Sequence, residues 1–110
     1  MKKSILLTIV LVMFAFIVKA DPPKKINLAV KNGKLTIEVV HPVKNTGDHY
    51  IDQITVSING KEYKVIKPTK QNSEKSELTT VDLPAVKAGD QIEVKARCNE
   101  FGTKSAKIKI

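Results

Sequence analysis

Asparagine followed by glycine occurs twice in this chain, at Asn32-Gly33 and Asn59-Gly60, and apolar residues alternate with polar ones on both sides of each pair. An Asn-Gly pair supplies the two positive φ angles that a two-residue hairpin turn needs, and period-two alternation suits a strand with one buried face. Residues 26–30 with 35–40, and 51–58 with 62–66, are therefore predicted hairpins. Residues 78–83, 91–98 and 103–110 complete a set of about seven short strands, with Lys87-Ala88-Gly89-Asp90 as a turn by composition. Residues 67–76 are polar, contain Pro68 and read as a loop, and no segment carries a helical stripe. The expected fold class is all-β: an immunoglobulin-like antiparallel β-sandwich of about seven strands.

Strand parity predicts the core. Leu35, Ile37 and Val39 share one face, as do Ile54, Val56 and Ile58, and as do Ile92, Val94 and Ala96 with Glu93, Lys95 and Arg97 opposite. One further step along two of these strands reaches His41 after Val39 and Cys98 after Ala96. Both side chains are expected to point inward at strand ends.

The chain divides at Ala20. Residues 1–20 read as a signal peptide: Lys2 and Lys3 form a positive start, residues 5–18 are apolar apart from Thr8, and Val18-Lys19-Ala20 offers a cleavage site. That apolar run of 14 residues falls short of the ~20 that cross a bilayer, so no stable membrane span is expected after cleavage and the location is secreted or periplasmic. Residues 21–110 form the single expected domain. No Cys follows the apolar run, which excludes a lipid-modified cysteine at the new N-terminus.

Losing Lys2, Lys3 and Lys19 reduces 19 Lys and Arg to 16 against 11 Asp and Glu, a net charge of +5 rather than +8. All of these cations are Lys except Arg97, they are dispersed, and Tyr50, Tyr63 and Phe101 are the only aromatics beyond the signal. A nucleic-acid site would concentrate its cations beside stacking rings, so nucleic acid is not an expected partner. Dispersed lysines suit a solvated surface that steers small anions. Cys98 is the one cysteine of the chain, so there is no internal disulfide and the thiol is buried and inert, paired with another molecule, or bound to something.

The chemistry-bearing residues are few. His41 and His49 are the two histidines, both in the stretch His41-Pro42-Val43-Lys44-Asn45-Thr46-Gly47-Asp48-His49-Tyr50, with Cys98 at another strand end. Imidazole and thiolate together suit Fe, Zn or Cu. The plainer alternatives are a small buried hydrophobe for Cys98 and a hydrogen-bonded structural loop for the histidines. Asp48 is a candidate to orient the His49 ring, or a solvated charge.

His41-Pro42, then His49-Tyr50-Ile51, the hairpin through Asn59-Gly60, and Cys98-Asn99-Glu100-Phe101-Gly102 resemble the iron-binding domain of the superoxide reductases, the desulfoferrodoxin and neelaredoxin group, over residues 35–110. The resemblance implies an immunoglobulin-like sandwich holding one Fe(II) with equatorial imidazoles and an axial thiolate. Carried over, His41 and His49 match two imidazoles, Cys98 the thiolate, and Asn99 the residue after it. Superoxide is the implied substrate, with an unidentified redox partner as electron donor.

The ligand set is incomplete. Phe101 stands where the family has a histidine, no His accompanies Lys24-Lys25-Ile26, and the His41 to His49 interval is two residues longer than usual. Phe101 is expected to plug the core where that imidazole would sit, and Lys44 is a substitute for the family's assisting lysine. The alternative function is a non-catalytic immunoglobulin-like binding or carrier module, similar to sulfur carriers and without metal. A copper site is a third reading, against which stand the absence of Met beyond the signal and of a Cys-x-x-His spacing.

Overall fold

A computed structural model describes residues 21–110, and the expected signal peptide lies outside them. Seven strands form in chain order: β1 (Lys25–Lys31), β2 (Lys34–Val40), β3 (Ile51–Ile58), β4 (Lys61–Ile66), β5 (Ser76–Asp82), β6 (Gln91–Cys98) and β7 (Thr103–Lys109). They build two antiparallel sheets, ordered β1-β2-β5 and β4-β3-β6-β7. This is the expected all-β sandwich of immunoglobulin-like type. Among the described residues no helix is long and apolar enough to cross a membrane.

Both Asn-Gly turns are formed as the dipeptides require, with φ of 51° and 73° at Asn32 and Gly33 and 50° and 82° at Asn59 and Gly60. These turns set the β1–β2 and β3–β4 hairpins in one sheet each. The chain then changes sheets through residues 41–50, 67–75 and 83–90, so the long connections run across the ends of the sandwich.

The core follows the alternation of β2, β3 and β6. Leu35, Ile37, Val39, Ile54, Val56, Ile92, Val94 and Ala96 are fully buried, joined by Val81 and Ile26. Each large aliphatic side chain removed from water contributes about 1.5–3 kcal/mol, and this sum replaces the disulfide that the chain lacks. Ile58 is only partly buried, so the β3 face is less uniform than simple parity predicts. The register of β3 against β6 shifts between Ile51 and Gln53. This bulge turns Ile51 into the core and leaves Asp52 outside, where it meets Arg97 at 2.9 Å.

Antiparallel pairing gathers particular strand ends. Lys25 pairs with Val40, Ser76 also pairs with Val40, and Ile51 pairs with Cys98. The start of β1, the end of β2, the starts of β3 and β5 and the end of β6 therefore share one end of the sandwich. The segment before β1, the connections 41–50 and 67–75, and the β6–β7 turn 99–102 meet there.

Candidate metal centre

His41 is the first residue after β2 and Cys98 the last of β6, and both continue the inward parity of their strands. They are 1% and 2% exposed. His49 precedes β3 on the same end, its side chain 19% exposed. The His41 and His49 rings stand edge to face, with centroids 4.8 Å apart and planes at 89°. The three candidate ligands are thus brought together, and a fourth group joins them. One donor atom each from Asp21, His41, His49 and Cys98 lie within 4.8 Å of one another.

The His41 ring is held by Gln71, which is 2% exposed. Gln71 donates through Nε2 to the carbonyl of His41 at 2.6 Å and to that of Ser73 at 2.9 Å. With both amide hydrogens committed, Gln71 Oε1, 2.8 Å from His41 Nδ1, can only accept, so Nδ1 carries the proton. In the neutral ring Nε2 is then a bare lone pair. It faces the Asp21 carbonyl at 3.3 Å and Asp21 Oδ2 at 3.7 Å, both acceptors. Acceptor against acceptor is unfavourable in a buried place unless a proton or a metal cation lies between them.

His49 shares the same carboxylate. Its Nε2 lies 2.7 Å from Asp21 Oδ2, yet that buried nitrogen makes no hydrogen bond, because the contact misses the direction of a ring N–H. Its Nδ1 is 3.9 Å from Glu100 Oε2. Asp48 does not orient the ring. Its carboxylate accepts from Asn45 Nδ2 at 3.0 Å, closing the loop instead.

Asn99 ties the His49 loop to the end of β6. It accepts from the Tyr50 N–H at 2.9 Å and donates through Nδ2 to the Asp48 carbonyl at 2.9 Å. The Cys98 sulfur accepts from the Glu100 N–H at 3.4 Å. A cleft of about 410 Å³ opens beside Cys98, lined in part by Arg97, Glu100, Phe101 and Thr103. The Asp52 carboxylate beside Arg97 raises the guanidinium pKa further above its already high value.

Phe101 corrects one expectation. It is 62% exposed and plugs no core volume. Its backbone has φ of 146°, which turns the side chain outward while its carbonyl accepts the Asp21 N–H at 2.8 Å. Lys44 is exposed.

Sequence reasoning missed Asp21 and Gln71. Asp21 sits in a Pro-rich lead-in four residues before β1, and Gln71 in a polar loop. Neither position carries a periodic signal that points to the site. No family model and no curated protein sequence matches the chain.

Proposed function

We propose that this chain is a secreted or periplasmic metal-binding domain of superoxide-reductase-like type, with His41, His49 and Cys98 holding one Fe(II) ion. The observation that carries this reading is the His41 Nε2 lone pair, fixed by Gln71 and turned toward acceptors among donors that lie within 4.8 Å. Donor atoms around one ion bonded at ~2.0–2.3 Å stand roughly 3–4.6 Å apart, so a small contraction suffices. Two imidazoles and a thiolate are the donor types that iron, zinc and copper accept.

When bound, a ferrous ion would supply the one electron that, with two protons, takes superoxide to hydrogen peroxide. His41 contributes an oriented lone pair. Cys98, buried at the end of β6, would contribute a polarisable sulfur to a bound ion, and the Glu100 N–H would tune its electron density. Asn99 keeps the His49 loop and the Cys98 strand end in register. Each turnover would consume one electron, so an external one-electron reductant would have to return it. Burial of Cys98 disfavours a sulfur-carrier role, which needs an accessible sulfur.

The test is to express the protein from its full-length sequence, offer Fe(II), Zn(II) and Cu(I/II) anaerobically, and measure metal per chain with the visible spectrum of the oxidised form. One iron per chain with a sulfur-to-iron charge-transfer band that disappears in Cys98→Ser supports the reading. Substoichiometric metal throughout overturns it.

A further inference from the structure

Asp21 is the residue of this end for which the three-ligand reading has no role. Its side chain is half-exposed, yet Oδ2 points inward, 2.7 Å from His49 Nε2 and 3.7 Å from His41 Nε2. One carboxylate oxygen thus faces the ε nitrogens of both histidines, neither of which makes a well-directed hydrogen bond to it.

The segment carrying Asp21 is seated, not loose. The Asp21 N–H donates to the Phe101 carbonyl at 2.8 Å and the Lys24 N–H to the Val40 carbonyl at 2.8 Å. Between these two anchors Pro23 is buried and Pro22 crosses directly over Gly102. A Cβ at Gly102 would lie 2.7 Å from Pro22 N, and the Gly102 φ is +114°, so both space and backbone call for glycine there. Residues 21–24 form a strap laid across the β6–β7 turn, with a carboxylate aimed at the histidines.

We propose that Asp21 Oδ2 is the fourth protein ligand of the metal, and that the ion thereby latches the strap of residues 21–24 onto the end of the sandwich. This rests on the metal-binding reading above and adds a ligand to it. Charge supports the assignment: a thiolate from Cys98 and a carboxylate from Asp21 together neutralise a divalent ion, whereas two imidazoles and one thiolate leave a net positive charge buried. Geometry supports it as well, because Asp21 already lies within the same 4.8 Å set as the other donors.

The experiment compares the wild type with Asp21→Asn and with Glu62→Gln, an exposed carboxylate on β4 paired with Ser57 at the far end of β3. All three are expressed from the full-length sequence and titrated with Zn(II) and Co(II) alone. Asp21→Asn is expected to lower affinity at least about tenfold, the scale set by ligand-shell substitutions, and Glu62→Gln, remote from the donors, to leave it within about twofold. In the wild type, metal should slow hydrogen exchange of the Lys24 amide, and this slowing should vanish in Asp21→Asn. An independent readout needs no variant: in the Co(II) protein the Asp21 β protons should be hyperfine-shifted. Equal affinity of wild type and Asp21→Asn, or unshifted Asp21 β protons in a protein that binds Co(II), overturns the Asp21 assignment alone. Failure of the wild type to bind any metal overturns both readings.

Discussion

Gln71 and His41 form a closed pair: the amide Oε1 accepts a hydrogen bond from His41 Nδ1–H at 2.8 Å, and its Nε2 donates to the His41 and Ser73 carbonyls. The pair joins the connection 67–75 to the connection 41–50, beside the backbone bonds His41 N–H to Lys75 carbonyl and Gln71 N–H to Thr46 carbonyl. One glutamine therefore sets both the tautomer of a candidate ligand and the seating of its loop.

Gln71→Leu should separate these two roles. The cavity keeps an apolar side chain of similar size, but His41 loses its acceptor and its carbonyl loses a donor. Stability should fall by about 1–3 kcal/mol in urea unfolding of the metal-free protein. Metal affinity should fall about ten- to hundredfold in a chelator competition titration. Loss of stability without loss of affinity would mean that Gln71 only seats the loop.

Phe101→His should not create a new ligand. Phe101 is 62% exposed in the turn after β6 and fills no core volume that an imidazole would inherit. Metal affinity should stay within about twofold of wild type, because a side chain that does not reach the ion lacks the leverage of a ligand or its hydrogen-bond partner. A marked gain in affinity would show that this turn rearranges to bring residue 101 inward.

Gly102→Ala should unseat the strap. A methyl group would fall 2.7 Å from Pro22 N on a backbone with φ of +114°. The positive φ alone costs about 1–3 kcal/mol, and displacement of Pro22 adds to it. Thermal unfolding should be lowered and limited proteolysis before β1 accelerated. Gly89→Ala, also at positive φ but with open space around its Cβ position, should lower stability without the change in proteolysis.

Glu77 gives the protein a pH dependence opposite in sign to that of the surface carboxylates Asp82 and Asp90. It is 6% exposed on β5, and burial raises its carboxyl pKa above the ordinary 4.5 against a lowering by the Asn72 N–H. A group raised in the folded state contributes stability that is complete below its ordinary pKa and is lost as pH rises through the folded value. The stability of metal-free wild type relative to Glu77→Gln should therefore decline as pH rises above the ordinary carboxyl value of 4.5. Paired denaturant titrations across that range would check it, and a flat or rising difference would exclude the effect. Asp82, lowered by its hydrogen bond to Lys34, acts in the opposite direction in both proteins and cancels in the comparison.

The inward placement of His41 and Cys98 was legible because each continues a strict alternation by one residue, Val39 to His41 and Ala96 to Cys98. His49 was legible only as a member of the same loop. Burial of Glu77 was not, since Leu78 beside it is the more hydrophobic side chain, yet Leu78 is 52% exposed. Pairing of β5 with β2 fixed that parity: Glu77 lies opposite the inward Val39, and Asn72 satisfies both carboxylate oxygens at 3.0 and 3.1 Å.

Turn chemistry and two-residue periodicity are local properties, carried by residues a few positions apart, and they determined the seven strands, both hairpins and most of the core from the sequence alone. Membership of the site beyond its histidines and cysteine was decided by tertiary structure. Asp21 reaches His49 because the strap crosses the β6–β7 turn at Gly102, and Gln71 reaches His41 because two connections between the sheets run side by side. Those meetings join residues 28 and 30 positions apart in the chain. They depend on how the ends of two sheets are brought into register, which no single strand records.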